Sequence, residues 1–176
     1  MRPPLLSCEI DVYKRQAWKR ATLPTGIAGL STVSCPTRTE CWVGGATETQ
    51  AALVIATNDS GRAWASQTLP TGIAFLRGAY CPTTTNCFSV GFVSSGAGGL
   101  LGTNDAGGKW NTEKPPSRVP ELFLFSVTCR SSSDCWAVGD TPSNTGIVVA
   151  TTDAGAVWKL QRVPSGTCLL YTSRCV

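Results

Sequence analysis

Histidine is absent from this chain, methionine occurs once, and only 15% of the side chains are charged. The lack of histidine removes a frequent partner of cysteine at zinc sites. No apolar run reaches the 18 residues that a membrane-spanning helix needs, so this stretch of chain is not expected to cross a membrane as a helix. No window keeps a helical period. The formal net charge is only +4, and part of it sits at the ends, where Arg2, Lys14, Arg15 and Arg174 outnumber Glu9 and Asp11. A balance so near neutral gives no reason to expect nucleic acid or an anionic membrane as partner. The glycine-rich stretch SSGAGG, Ser94 to Gly99, has no lysine after it and reads as a loop rather than a phosphate cradle. No cofactor and no metal is expected.

What the chain does have is repetition. TNDSGRAW at Thr57 to Trp64 returns as TNDAGGKW at Thr103 to Trp110 and as TTDAGAVW at Thr151 to Trp158. Asp59 and Asp105 stand 46 residues apart, Asp105 and Asp153 48. Cys35, Cys81 and Cys129 keep the same two steps. A fixed period of roughly 40–50 residues marks propellers and other repeat arrays. Within a unit, Leu30 to Cys35 alternates, Cys41-Trp-Val is short and apolar, and Leu53 to Thr57 is rich in β-branched residues. Gly, Pro, Ser and Thr punctuate every junction. Four short strands per unit predict an all-β fold, a partial β-propeller of three four-stranded blades and one incomplete blade. A solenoid is the rival, although solenoid repeats are usually shorter for that many strands. The expected division is 17–28 for the end of one blade, then 29–74, 75–121 and 122–167.

The ends break the pattern. DVYKRQ at Asp11 to Gln16 stands where Asp-x-Gly should precede Ala17-Trp18, and CLLYTSRCV from Cys168 replaces the next first strand. Both back-translate onto one short DNA element and its complement, similar to the transposon ends used in sequencing libraries. Residues 1–16 and 168–176 are therefore expected to be foreign flanks and are set aside in reasoning about the fold. On this reading Met1 is no true start, the absence of a leader carries no information, and 17–167 is an internal piece of a longer, exported propeller.

Outside the flanks, six cysteines form three C-x5-C pairs: Cys35 with Cys41, Cys81 with Cys87, and Cys129 with Cys135. In each pair the first member ends a strand and the second opens the next, with PTRTE, PTTTN or RSSSD between them. Facing positions at a hairpin mouth lie about 4.5–5.5 Å apart, within disulfide reach. Three disulfides and an oxidising, extracytoplasmic compartment follow. Three pairs of buried free thiols are the alternative.

The Asp motif reads as a tight turn whose carboxylate accepts backbone N–H groups, whose glycine supplies a positive φ, and whose tryptophan wedges between sheets. The pattern [ST]-x-D-x-G-x-x-W resembles the Asp-box of sialidase-like (BNR) propellers. The C-x5-C-W-x-V-G unit is similar to that of secreted bacterial BNR-repeat proteins, and the spacing is similar to photosystem II stability and assembly factor propellers. The resemblance implies structural roles for Asp59, Gly61, Trp64, Asp105, Gly107, Trp110, Asp153, Gly155 and Trp158, away from any active site. A sialidase-like enzyme also requires an arginine triad and a tyrosine–glutamate pair. Here Tyr80 is the sole tyrosine outside the flanks, and Glu40, Glu48, Glu113 and Glu121 fall in turns or loops without evident pairing. Arg77, aligned with Ser31 and Phe125 on a channel-lining strand, is the candidate ligand contact. The variable loops ATETQAA, VSSGAGG and DTPSNTG share a face with the interblade linkers, where an unknown protein or glycan partner is expected. The resulting expectation is a non-enzymatic binding or scaffold module. The alternative is a piece of a sialidase-like exo-glycoside hydrolase with its catalytic residues in other blades.

Overall fold

The structure, a computed structural model, describes residues 20–95, 98–117, 119 and 122–164. The proposed flanks and Trp18 lie outside these residues. The described chain contains twelve strands and no helix. The first sheet comprises β1 (Ile27–Ser34), β2 (Cys41–Thr47), β3 (Ala52–Thr57) and β4 (Ala65–Ser66). The second comprises β5 (Ile73–Tyr80), β6 (Cys87–Val93), β7 (Gly98–Thr103) and β8 (Asn111–Thr112). The third comprises β9 (Phe123–Cys129), β10 (Cys135–Asp140), β11 (Gly146–Thr151) and β12 (Lys159–Leu160). Each sheet is a meander of four antiparallel strands in chain order. Consecutive strands pair because the connections are short, which favours hairpins over crossovers.

The three sheets pack face to face in series, and side-chain alternation explains how one sheet serves two interfaces. In β6, Cys87 turns toward the first sheet, joining Trp42, Val54, Leu76, Leu101 and Trp110. Its neighbour Phe88 turns the other way, joining Val90, Leu100, Leu124, Val149 and Trp158. The middle sheet is thus covered on both faces, and β6 and β7 read as almost continuous buried runs. β1, whose outward face meets no sheet, is largely exposed.

A second constraint recurs four residues after each second cysteine. At Gly45, Gly91 and Gly139 a methyl group would overlap the carbonyl of Gly29, Phe75 or Phe123 on the preceding strand. The pairing register slips beside these contacts, so the innermost strands carry β-bulges. Glycine is required there for close backbone approach.

Candidate functional site

Two local motifs build one face of every sheet. In the Asp-x-Gly turns, Oδ1 of Asp59, Asp105 and Asp153 accepts the hydroxyl of Thr57, Thr103 and Thr151 at 2.8, 2.8 and 2.6 Å. The same oxygen accepts the N–H of Ala63, Lys109 and Val157 at 3.0, 2.9 and 2.9 Å. Each threonine hydroxyl in turn accepts the N–H of Gly61, Gly107 or Gly155 at 3.0–3.1 Å. The turn glycines have φ of 80°, 82° and 92°, and the residues before them, Ser60, Ala106 and Ala154, are also left-handed at 66°, 57° and 58°. The positive φ of each glycine is accompanied by one at the residue before it, so two consecutive residues share the unusual backbone. A non-glycine in that region costs energy. Hydrogen bonding within the turn and to the adjacent loop offsets that cost.

These hydrogen bonds also set the acidity of the carboxyls. Asp59 and Asp105 lie below the usual carboxylate range chiefly through the N–H of Ala63 and of Lys109, then through the threonine hydroxyls. Asp153 is lowered first by the Thr151 hydroxyl and then by the Val157 N–H. All three favour the ionised form because donors point at it.

The cysteine loops lie beside these turns. Disulfides join Cys35–Cys41, Cys81–Cys87 and Cys129–Cys135, with Cα separations of 4.1, 4.0 and 4.0 Å. The separations are somewhat shorter than the hairpin geometry predicts, because the bridge closes the strand pair at its last position. Ser60, Ala106 and Ala154 donate their N–H to the carbonyls of Thr39, Thr85 and Ser133 within the cysteine loops, at 2.9, 3.0 and 3.1 Å. Asp turn and disulfide loop therefore form one hydrogen-bonded unit, which accounts for their common period.

The opposite face carries the linkers and the variable loops. Glu48 and Ser94 in those loops donate their N–H to Gly26 and Gly72 of the linkers, at 3.0 and 2.8 Å. Between the two faces, the first strands of the sheets run beside one another. Ser31 Oγ donates to the carbonyls of Gly44 and Leu76, tying β1 to β5. Thr32 and Ser34 hydroxyls accept the N–H of Ala79 and Cys81, each at 2.9 Å.

Arg77 lies on this inner surface, exposed, midway along β5. Its guanidinium carbon stands 5.0 Å from the ring centre of Phe92, 5.5 Å from Phe125 and 5.8 Å from Phe75. Such distances are within cation–π range, and the rings hold a long side chain that would otherwise sample many rotamers. Phe92 also packs on Phe123 and Phe125, at 5.6 and 6.5 Å. A cleft of about 300 Å³ opens here, lined by Ser31, Phe75, Arg77 and Phe125. Sequence reasoning selected Arg77 but missed the phenylalanines around it. A signal was present: the chain has five phenylalanines, and all except Phe88 lie in or beside this cluster.

Glu113 departs from expectation. Placed by sequence in a loop without a partner, it is half-buried against the Gly155 turn of the third sheet. Burial, then the nearby Asp153 carboxylate, raises its pKa above the ordinary carboxyl range. The two carboxyls lie near enough to interact, but Asp153 is committed to Thr151 and Val157. A larger cleft of about 770 Å³ lies between Pro116–Ser117 and β12, with Lys159 and Arg162 in its lining. It lacks the ring-clamped cation that distinguishes the inner cleft. No group of three or more His, Cys, Asp or Glu able to hold a metal occurs among the described residues.

Three four-stranded antiparallel sheets stacked in series, with their first strands innermost, define a partial β-propeller. The solved structures it resembles agree. YCF48 bound to a D1 peptide superposes with a TM-score of 0.63 at 17% identity, over 80% of this chain and 42% of that one. YCF48 from Cyanidioschyzon merolae gives 0.61 at 20% identity, over 82% and 43%. The GH74 enzyme of Niastella koreensis gives 0.56 at 14% identity, over 77% and 23%. The chain thus spans less than half the length of the structures it matches. No protein-family model and no curated protein matches it.

Proposed function

We propose that the chain is a non-enzymatic recognition module from an exported Asp-box propeller, binding an extended acidic polypeptide along its inner surface. The observation that carries this reading is the Arg77 guanidinium, clamped among Phe75, Phe92 and Phe125 and open to the cleft beside Ser31. A pre-positioned guanidinium binds a carboxylate through paired N–H donors at little ordering cost. Flanking rings add apolar contact for the neighbouring residues of the ligand. That a propeller of this fold is seen with a peptide bound supports a polypeptide as the partner. The partner enters from the variable-loop face, whose linkers lead into β5. Asp59, Asp105 and Asp153 serve the fold, because their carboxylates are occupied by turn donors. The three disulfides support an oxidising compartment.

The test is binding of a fluorescent peptide library graded in acidity, measured by anisotropy. Acidic peptides are expected to bind, and Arg77→Ala to weaken them by about tenfold, the worth of one charge-assisted contact. Equal binding of neutral and acidic peptides, or an unaffected Arg77→Ala, sinks the proposal. The GH74 neighbour favours a second reading, a glycoside hydrolase completed by residues outside this chain. Release of fluorophore from aryl glycosides by the longer protein, and not by a variant lacking carboxylates in those other blades, is the outcome that selects it.

A further inference from the structure

The first and second sheets leave a cleft between them that the second and third do not. It opens beside the Asp-x-Gly turns, on the face opposite the variable loops, and measures about 300 Å³. Described sheets bound it on both sides. Trp42, Ala56 and Ala65 of the first sheet line one side, and Thr84 and Ala106 of the second line the other. The matching space between the second and third sheets is only about 50 Å³, with Phe88, Gly102, Asn111 and Glu113 in its lining. Asn111 pairs with Gly102 as Ala65 pairs with Ala56, so an alanine in place of an asparagine opens the first junction. The fold does not require that room. Strand pairing, turn conformation and the hydrogen bond from turn to cysteine loop are the same from sheet to sheet.

Polar side chains converge on this cleft without being used by the fold. Asn58, Gln67 and Thr84 line it, and none of the three makes a side-chain hydrogen bond among the described residues. Each is nevertheless held in position. Asn58 belongs to the turn that Thr57 and Asp59 fix. Thr84 belongs to the loop closed by the Cys81–Cys87 bridge, where the neighbouring Thr85 carbonyl accepts the Ala106 N–H at 3.0 Å. Gln67 donates its N–H to Val54 at 2.8 Å, and its Oε1 would stand 2.5 Å from a side chain at Gly107, so glycine there leaves room for the amide. Glu40 adds one carboxylate, which accepts the Thr37 hydroxyl at 3.3 Å, and no basic side chain lines the cleft. Uncommitted donors and acceptors on fixed elements cost little to order when a ligand arrives.

We infer that this cleft binds a neutral sugar, one pyranose ring of a glycan. A few placed polar groups over an apolar lining are what a small-ligand site of this size needs. A pyranose carries hydroxyls around its edge and C–H groups on its faces. The amides of Asn58 and Gln67 and the hydroxyl of Thr84 each donate and accept, as sugar hydroxyls do. Trp42 and the methyl groups of Ala56 and Ala65 meet the C–H face. An anionic sugar is disfavoured, because the one charged group in the lining is Glu40 and like charges repel. A hard cation is disfavoured too, since it takes six or more oxygen ligands and a single carboxylate stands here. Arg77 lies on the inner surface and takes no part, so the inference is independent of the polypeptide reading.

The test is an NMR titration of the full chain with the methyl glycosides of glucose, galactose and mannose. At least one is expected to shift the side-chain amide signals of Asn58 and Gln67 and to saturate with a Kd on the order of 1–10 mM. Ala65→Asn copies the residue found in the second sheet, so it is compatible with the fold and fills the cleft. It is expected to weaken that glycoside by about tenfold or more. Thr84→Ala is expected to weaken it by about threefold, the loss of one neutral hydrogen bond. Methyl glucuronide is expected to bind more weakly than methyl glucoside. Near-UV circular dichroism verifies folding, and Thr84→Ala alone decides the matter if Ala65→Asn does not fold. No shift with any of the three glycosides, shifts that leave Asn58 and Gln67 unmoved, undiminished binding in the folded variants, or a preference for the glucuronide overturns the inference.

Discussion

Thr151 shows how much one hydroxyl does. Buried at the end of β11, it donates to Asp153 and accepts the Gly155 N–H, so it joins both ends of a turn whose Ala154 and Gly155 are left-handed. Thr151→Val keeps the shape and removes both bonds. It is expected to lower unfolding stability by about 1–3 kcal/mol in urea titration, since a buried N–H loses its partner. Glu113 is an opposite case. Its folded-state pKa is raised, so the unfolded chain ionises first, at about pH 4.3. Stability is therefore lost as pH rises through the folded value. Glu113→Gln is expected to raise the thermal midpoint at pH 7, with the gain vanishing below about pH 4, where both states hold the proton. Gln67, at the equivalent place beside Gly107, shows that an amide fits. The three turn aspartates have the other sign. Their folded values are lowered, so their contribution is full above about pH 3.9 and falls away as pH drops through the folded values.

At the scale of the element, the same motif has different worth in different sheets. Trp110 and Trp158 are buried between sheets against Trp42 and Phe88, while Trp64 has its own turn glycine beneath it and no aromatic partner from a preceding sheet among the described residues. Trp110→Ala is expected to cost about 3–5 kcal/mol, and Trp64→Ala less than about 2 kcal/mol, measured by denaturant unfolding. Equal costs would mean that the indole acts within its own turn rather than across the junction. The indole nitrogens of all three have no hydrogen-bond partner. Wedging of the apolar ring, rather than a polar contact, is thus the contribution that matters.

For the whole molecule, coverage decides which parts open first. β6 and β7 are screened on both faces, whereas β1 is mostly exposed. Amide exchange is expected to be slowest in β6 and β7 and fastest in β1, since local opening follows buried contact. Uniform protection across the three sheets would contradict this ranking.

The Asp-x-Gly-x-x-Trp turns, the cysteine hairpins and their shared period were legible in the residues because each closes within a few positions of chain. The number of strands per unit followed from the same short-range signals. The turn residue before each glycine was not legible, since Ser60, Ala106 and Ala154 carry no mark of a left-handed backbone; the cysteine-loop carbonyls that hold them come from a different hairpin of the same sheet. Nor was the cage around Arg77, whose Phe92 and Phe125 arrive from another strand and another sheet. The seat of Glu113 against Gly155 likewise joins two sheets. By itself the sequence determined the module: its strands, its turns and its covalent closures, all made by contacts over short stretches of chain. Tertiary structure alone decided what those modules present to each other and to a partner. Close backbone approach and ring-to-ring contact exist only once sheets distant in sequence stand side by side.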